Sequence, residues 1–220
     1  EQEITNQKSQ LKALQAQINP HFLSNTFQLI GGMALSHGVD DIYHATIKMS
    51  NLIRYAMKDN SETITLKDEI HHMTDYLEIQ KLRFGDNLEF KTDVPIEVEK
   101  INIPQLSLQP IIENSFKHGL KKKVGIWKIS ITCKVDEMIK LYISDNGKGI
   151  KEDKLKRINE MLEIKEDLFT NQETHTSIGL VNINSRIKLL YGKDSGLHLS
   201  NNKDEGVTVC ITIPKGEYIL

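Results

Sequence analysis

The sequence WKISITCKVDEMIKLYISDNGKG, residues 127–149, decides the fold class of this chain. Residues 127–133 and 138–144 alternate apolar residues, many of them β-branched, with polar ones, as half-buried strands do. The polar segment 134–137 separates the two stretches. We therefore expect two adjacent strands, the second of which ends just before Asp145.

Similar patterns towards the C-terminus predict the rest of a sheet. Residues 207–213 predict a strand, and residues 197–200 predict another that pairs with it. Before both, residues 178–190 carry apolar residues at helical spacing. Helices that alternate with mostly hairpin-linked strands form an α/β sandwich, in which the helices cover one face of a mixed sheet. We expect this architecture in residues 86–220.

The first third of the chain is predicted to be helical throughout. Apolar helical faces lie at 42–56 and 66–84, and Thr65 and Asp68 form a capping box before the second. The pattern changes after Gly85, so we place a domain boundary there. The whole chain is then an α+β protein with a helical region at its start.

Residues 1–19 are polar apart from a narrow apolar stripe at the a/d spacing of a coiled coil, formed by Ile4, Leu11, Leu14 and Ile18. A stripe this narrow covers little core, which favours a partner helix. An amphipathic helix packed on its own domain is the alternative. We therefore predict dimerisation through this segment.

The composition excludes several classes of function. Of 220 residues, 39% are hydrophobic, which is enough to build a core, and the net charge of −2 gives no reason to expect direct binding to nucleic acid or to an anionic membrane. Cys133 and Cys210 lack metal-ligand spacing, which favours buried thiols in a reducing compartment. The chain has no apolar run of about 18 residues and starts with neither a signal peptide nor methionine, so we expect a fragment of a longer protein.

The segment QINPHFLSN, residues 17–25, places a histidine after a proline. Pro20 cannot donate to the carbonyl of Ala16 and clashes with it, so we expect a kinked helix with the imidazole of His21 clear of the bundle. A straight continuation of the 1–19 stripe would bury His21 instead. A histidine with a pKa of about 6.5 is mostly neutral at pH 7 and has one nitrogen available as a nucleophile. Taken alone, however, a single histidine is weak evidence for a site.

The segment QPIIENSFKHG, residues 109–119, predicts a helix with two different faces. Asn114, Lys117 and His118 fall on one side, while the apolar residues can face a core. An amide oxygen suits Mg²⁺, and the two donor groups suit phosphate oxygens. An exposed polar face that ends at a glycine explains the same residues equally well.

The segment DNGKG, residues 145–149, follows a predicted strand. Gly147 and Gly149 permit positive φ angles and close approach of the backbone to a ligand, and Asp145 can accept a hydrogen bond from an adenine amino group. A bare turn is the alternative, but no strand follows at once. The long polar stretch 151–177 favours a lid over a nucleotide, and the start of the next helix could meet phosphates.

Together these segments resemble the LytS/YesM-type sensor histidine kinases. The resemblance rests on QINPHFL, LQPIIENSFKHG, DNGKG and a GL-x-N-x-x-x-R segment that begins at Gly179, with YLEIQKLRFG, residues 76–85, at the boundary. Separated motifs in the same order cover nearly the whole chain. The C-terminal half resembles the fold shared by gyrase, Hsp90 and MutL. Residues 1–85 would then be a dimerisation and histidine phosphotransfer domain, and residues 86–220 an ATP-binding catalytic domain.

The resemblance implies a role for each matched residue. His21 would accept the phosphoryl group, Asn114 would hold Mg²⁺, and Lys117 and His118 would touch the phosphates of ATP. Asp145 would bind adenine. The remaining nucleotide-binding residues would be Gly147, Gly149, Gly179, Leu180, Asn182 and Arg186, of which the last is equally compatible with a surface charge.

The chain departs from the pattern of histidine kinases at three positions, Phe22, Ser177 and Ser24, and matches some of them at a fourth, Asn25. Phe22 occupies the place of an acid found after the acceptor in many of them, as in this family generally, so the base is unassigned. Asn25 matches the position that other kinases use to place a water during removal of phosphate from the regulator, which makes phosphatase activity a hypothesis. Ser177 stands where a glycine is usual, which leaves nucleotide affinity open. Ser24 replaces a usual aromatic residue, with no consequence that the sequence reveals.

Two rival functions are weighed against the kinase. Pro110 stands where related ATPases carry a water-activating glutamate, which disfavours an ATP-hydrolysing machine of the gyrase or Hsp90 kind. A catalytically silent module that binds nucleotide only to change shape is disfavoured by the intact Asn114, Asp145 and glycine motifs, although Ser177 keeps it open. The resemblance further implies a homodimer, a response regulator of the LytTR or AraC type, and upstream membrane segments that leave this portion in the cytoplasm.

Overall fold

The computed structural model describes residues 20–56, 63–120, 123–163 and 175–215. The chain divides into two compact units, Glu1–Asn60 and Ser61–Leu220. The predicted coiled-coil stripe at 1–19, and with it the predicted kink on the N-terminal side of His21, lies outside the described residues.

The first unit contains a hairpin of two helices, α1 (Pro20–Ser36) and α2 (Asp40–Ala56). The hydroxyls of Ser24 and Ser50 lie 2.7 Å apart in the buried contact between the helices. A Cβ added to Gly31 would stand 2.7 Å from Thr46 Oγ1. Small and hydroxyl-bearing residues therefore let the two helices approach closely, which explains the serine at position 24.

The hairpin leaves large apolar side chains exposed on its surface, among them Phe22, Leu29, Met33, Leu35 and Ile42. Single exposed apolar residues are normal in soluble proteins, but a group of them on one small unit is typical of a contact surface.

The second unit contains four α-helices and seven strands within its described residues. The helices are α3 (Leu66–Phe84), α4 (Gln109–Asn114), α5 (Glu152–Glu163) and α6 (His175–Tyr191), with a 3₁₀ turn at Gly85–Asn87 and a π-helical segment, Ser115–Leu120, directly after α4. The strands are β1 (Thr63–Thr65), β2 (Leu88–Asp93), β3 (Asn102–Pro104), β4 (Trp127–Val135), β5 (Met138–Asp145), β6 (Gly196–Asn201) and β7 (Val207–Pro214).

Five of the strands form a mixed sheet in the order β2-β4-β5-β7-β6, in which only the β2–β4 pair is parallel. Along β5, Ile139, Leu141 and Ile143 are buried while Lys140 and Tyr142 between them are half-buried. The buried face packs against apolar residues from all four helices of this unit. The predicted α/β sandwich, with helices on one face of a mixed sheet, is confirmed.

Helix α3 belongs to the second unit, although its sequence places it before the predicted boundary at residue 85. Leu66, Met73 and Leu77 lie fully buried in the core of the sheet domain, and Phe84 packs on Trp127 of β4 with ring centroids 4.6 Å apart. By packing, the division therefore falls between residues 60 and 61 rather than after 85.

The segment before α3 is also not wholly helical. Strand β1 pairs antiparallel with β3, so the prediction of helix throughout the first third was wrong at Thr63–Thr65. The predicted cap is confirmed, because Thr65 Oγ1 accepts a 3.2 Å hydrogen bond from the backbone N–H of Asp68. Strand β1 ends at Thr65, directly before α3 begins, and its pairing with β3 joins this segment to the second unit.

The outer edge of β6 is covered by side-chain amides. Asn159 of α5 both accepts from Leu199 N–H and donates to its carbonyl, at 2.9 and 2.8 Å. Asn184 of α6, which is buried, accepts from Leu197 N–H at 2.8 Å. These contacts satisfy backbone groups that the edge strand would otherwise leave unpaired.

The two cysteines are free and half-buried, rather than fully buried as expected. Burial, followed by the nearby Cys210, raises the pKa of the Cys133 thiol to about 11, so this thiol is protonated and unreactive at neutral pH. Among the described residues, no helix is long and apolar enough to cross a membrane.

Candidate active site

A cavity of about 570 Å³ opens between the covered face of the sheet and the helices, and we call it the nucleotide cavity after the ligand that the sequence resemblance predicts. It gathers residues from segments far apart in the sequence: α4 and the π-helical segment, the end of β5, the glycine loop after it, α5, α6 and β7. Its lining is apolar on the sheet side, with Leu199, Val207 and Val209, and polar at the mouth, with Asn114, His118 and Lys148. A cavity of this kind fits a ligand with one flat apolar end and one charged end.

Asp145 lines this cavity and is 7% exposed. Its Oδ2 accepts a 2.7 Å hydrogen bond from the hydroxyl of Ser115, and its Oδ1 accepts a 2.8 Å bond from Gly147 N–H. Oδ1 also accepts a longer, 3.4 Å bond from Val207 N–H. These donors hold the carboxylate in a fixed orientation, and Oδ2 keeps a lone pair for a ligand amino group. Ser115 was missed by the sequence analysis, because nothing in its local pattern shows that it faces Asp145.

The two loop glycines are required for different reasons. A Cβ on Gly147 would lie 2.6 Å from the backbone Cα and C of Gly119, so the loop and the π-helical segment touch backbone to backbone. Gly149 has φ +73°, a conformation that side chains disfavour. The predicted role of both glycines in shaping the loop has a physical basis here.

The cations at the mouth of the cavity differ from those expected. His118, Lys148, Lys151 and Lys154 line it, whereas Lys117 is exposed and is not among the lining residues. Burial lowers the pKa of His118, and the positive charges of Lys117, Lys154 and Lys148 lower it further. The lowering of the His118 pKa by these lysines shows that the mouth of the cavity has a local excess of positive charge, and such a region suits a polyanionic ligand.

The residues expected on α6 are separated by the structure. Leu180 lines the cavity and is buried. Gly179 lies near Pro110, with 3.9 Å between an added Cβ and the proline Cβ. Asn182 is exposed and is not a lining residue. Arg186 donates a 2.7 Å hydrogen bond from Nη2 to the carbonyl of Gln105, so its observed contact is with the protein backbone.

The turn Gln105–Leu108, which leads into α4, is held by a buried carboxylate. Glu69 of α3 is 0% exposed, and its two oxygens accept from the backbone N–H groups of Leu106 and Leu108 at 3.1 and 2.9 Å. Leu106 has φ +59° and is the only non-glycine residue with positive φ among the described residues. This conformation costs roughly 1–2 kcal/mol, which the hydrogen bonds to Glu69 offset.

A second polar contact joins α3 to α4 one turn further on. His72 Nε2 lies 2.9 Å from Gln109 Oε1, and Gln109 Nε2 donates to Glu113 at 2.7 Å. Because a carboxylate only accepts, the amide nitrogen faces Glu113 and the amide oxygen faces His72, so the neutral ring carries its proton on Nε2. Burial lowers the pKa of His72, although Gln109, Glu69 and Asp75 act in the opposite direction.

His21 lies in the first turn of α1 and is exposed. Asn25, one turn along, places its Nδ2 at 3.2 Å from His21 Nδ1 and 3.4 Å from Nε2. A half-turn of that amide would offer its oxygen to an Nδ1–H group and leave the lone pair on Nε2 for attack. The amide of Asn25 therefore contacts the imidazole of His21 from one turn away.

A wider, open cleft of about 900 Å³ lies beside β2, β4 and β5. Charged side chains of both signs line it, including Glu89, Lys91, Lys128 and Glu205. This mixture favours neither an anion nor a cation, so the nucleotide cavity is the better candidate site. The predicted lid falls partly at residues 164–174, outside the described ranges, as do the side chains of 175–178 with Ser177.

Comparison with known proteins matches both parts of the chain to protein families. The histidine kinase family matches residues 9–88, and the family described as histidine kinase-, DNA gyrase B-, and HSP90-like ATPase matches residues 101–217. The gap between the two matches lies close to the boundary predicted from the sequence, whereas the compact units divide earlier.

Curated relatives cover almost all of the chain. It is 37% identical to the sensor protein LytS of Oceanobacillus iheyensis over 94% of its length and 34% of that protein. It is 31% identical to the sensor histidine kinase YesM of Bacillus subtilis over 97% of its length and 35% of that protein. It is 33% identical to the sensor histidine kinase YpdA of Escherichia coli over 94% of its length and 34% of that protein. The chain thus spans about a third of the length of these relatives.

Proposed function

Since the chain belongs to the LytS/YesM-type sensor histidine kinases, with an ATPase domain of the DNA gyrase B and HSP90 kind, we propose that it transfers the γ-phosphoryl group of Mg·ATP to His21. From there the group passes to an aspartate of a response regulator. The observation that carries this proposal is the nucleotide cavity, which brings Asn114, Asp145 and the glycine loop together from distant segments. The exposed imidazole of His21 on α1 supplies the nucleophile.

Each end of the nucleotide has a matching set of residues. The adenine amino group donates to Asp145, whose carboxylate Ser115 and Gly147 hold in place. The base lies on the apolar sheet side beside Leu199 and Val209. The triphosphate extends to the mouth of the cavity, where the three lysines of the loop and α5 supply positive charge and the neutral ring of His118 can donate an N–H.

The side-chain oxygen of Asn114 fits Mg²⁺, which prefers hard oxygen ligands and when bound would neutralise phosphate charge. In the transfer step a bond forms between a ring nitrogen of His21 and the γ-phosphorus, and the bond from that phosphorus to the bridging oxygen of ADP breaks. The transition state of phosphoryl transfer is loose, so alignment and charge neutralisation account for most of the rate. Pro110 supplies no base to activate water, so direct hydrolysis of ATP is slow.

Incubation of the chain with Mg²⁺ and γ-labelled ATP tests this proposal directly. We expect label that is lost in acid and retained in alkali, as is typical of phosphohistidine. Label with the opposite stability would indicate a hydroxyl acceptor and would refute the proposal. The absence of any label, with nucleotide still bound, would instead support the silent nucleotide-binding module.

Lys154 should contribute to phosphate binding. It lines the nucleotide cavity, and its charge acts on His118. Replacing it with alanine removes one charge-assisted contact, so we expect Mg·ATP affinity to fall by about tenfold while adenosine affinity is unchanged. Isothermal titration with both ligands measures this.

The matched control for this prediction is Lys156→Ala on the same helix. Lys156 lies 3.9 Å from Glu160 and is not among the cavity lining residues, so its loss should leave both affinities unchanged. If both substitutions lower Mg·ATP affinity equally, Lys154 acts only through the overall positive charge of the helix and not through a contact with phosphate.

Asn25 is proposed to act in removal of phosphate from the regulator. Its amide lies beside the acceptor ring and can position a water there. We expect Asn25→Ala to slow the loss of phosphate from a labelled regulator, whereas Gln28→Ala, which removes another exposed amide of α1, should not. A rate of loss unchanged in Asn25→Ala would refute this role.

The exposed apolar residues of the α1–α2 hairpin support a homodimer formed through the first unit. A response regulator of the LytTR or AraC type is the proposed partner. Membrane segments upstream of this chain would place it on the cytoplasmic side, next to ATP and the regulator.

A further inference from the structure

We propose that Glu69 is a positioning residue for Asn114, and that it acts by holding the turn Gln105–Leu108 from which α4 starts. The inference rests on the proposed function, because it takes Asn114 to be the residue that meets Mg²⁺. Glu69 lies outside the nucleotide cavity and touches no part of the proposed ligand.

The carboxylate of Glu69 holds the turn by direct contacts. It is fully buried, and each oxygen accepts from one backbone N–H of the turn, those of Leu106 and Leu108. Leu106 keeps its positive φ of +59° only because its surroundings determine it. An alanine or glutamine at position 69 removes at least one acceptor and leaves a buried N–H without a partner.

Two other hydrogen bonds also hold the turn that leads into α4. Arg186 of α6 donates to the carbonyl of Gln105 at 2.7 Å. Ser107 donates to the carbonyl of Pro104 at 2.5 Å. Glu69 differs from both because it bonds to the two residues that flank Ser107, immediately before α4, and so sets the direction in which that helix begins.

Asn114 is the last residue of α4, five positions after its start at Gln109. The helix has only six residues, and Ile111 and Ile112 pack it into the core, so the direction in which it leaves the turn also sets the position of its last residue. A side-chain tip lies about 5–6 Å from a helix axis, so a rotation of about 10° displaces it by about 1 Å. A misplacement of about 1 Å in a catalytic group can reduce the rate about 100-fold. A small error in the turn is therefore sufficient to remove Asn114 from its working position.

The test compares nucleotide affinity with and without Mg²⁺, because this ratio reports on Asn114 and does not require phosphoryl transfer. We expect Glu69→Gln to abolish most of the Mg²⁺ enhancement of ADP affinity, while adenosine, which uses only the Asp145 end, binds within about twofold of wild type. Glu99→Gln is the matched control, because Glu99 also contacts α3, through Lys67 at 3.6 Å, but does not touch the turn. It should retain the full enhancement.

Two further variants separate positioning from general loss of structure. In the Asn114→Ala background, Glu69→Gln should reduce Mg·ADP affinity no further, because both act on the same contact. Leu106→Gly adopts the positive φ without strain, so adding it to Glu69→Gln should restore part of the enhancement.

The inference is overturned if Glu69→Gln retains the Mg²⁺ enhancement, or if adenosine and Mg·ADP affinities fall together. It is also overturned if the effects of Glu69→Gln and Asn114→Ala add. Failure of the proposed kinase function would show differently, as a wild-type chain that binds nucleotide and acquires no label from ATP.

Discussion

Replacing His21 with glutamine abolishes incorporation of label from γ-labelled ATP, whereas the affinity for ATP stays unchanged. Glutamine has an amide in place of the imidazole and provides no nucleophilic nitrogen at neutral pH. The nucleotide cavity is built entirely from the second unit, so this substitution leaves every lining residue in place. Electrophoresis of the labelled chain at alkaline pH measures the loss.

His37→Gln is the control for this experiment, because His37 is an exposed histidine directly after the same helix. It should retain full labelling. Labelling that persists in His21→Gln would place the acceptor elsewhere and refute the central proposal. Mixed dimers of His21→Gln and Asn114→Ala chains then show whether transfer occurs within or between protomers, since only transfer between them restores label.

Replacing Gly147 with alanine should nearly abolish nucleotide binding. The added Cβ would lie 2.6 Å from backbone atoms of Gly119, and neither partner has a flexible side chain that can move away. To remove this overlap, the glycine loop must move away from the π-helical segment. That movement pulls Gly147 N–H away from Asp145. We expect a loss of about 1–3 kcal/mol in stability and at least a tenfold loss of adenosine affinity, about 1.4 kcal/mol. Calorimetric titration and thermal unfolding measure the two effects.

Gly32→Ala tests whether any glycine substitution gives the same result. A Cβ at Gly32 would meet no atom within 4 Å, and alanine favours helix α1. This variant should bind nucleotide normally. If Gly147→Ala also binds normally, the backbone contact with Gly119 is not required for the site.

The parts of the fold that follow from local pattern were predictable from the sequence. Strands β4 and β5 alternate along one covered face of a sheet, so their period of two shows directly in residues 127–144. Gly147 and Gly149 reveal where the backbone approaches closely or turns left-handed. The cap at Thr65 depends on residues three positions apart, which also makes it visible in the sequence.

The features that depend on tertiary packing were not predictable. The apolar face of α3 shows that it packs on something, but not that its partner is the sheet domain. Lys117 was placed beside Asn114 on the assumption of a regular α-helix. The segment from Ser115 onwards is π-helical, which changes the angular spacing and leaves Lys117 outside the cavity. The contacts of Ser115 with Asp145, and of Arg186 with Gln105, join residues 30 and 81 positions apart.

The side-chain amides along the outer edge of β6 have a consequence for how the protein behaves in concentrated solution. A bare strand edge is a template on which a second molecule can extend the ladder, and this is a common start of aggregation. Asn159 occupies both the N–H and the carbonyl of Leu199, and Asn184 occupies the N–H of Leu197, which are groups that such a molecule would use. Growth of an intermolecular sheet is blocked at this end.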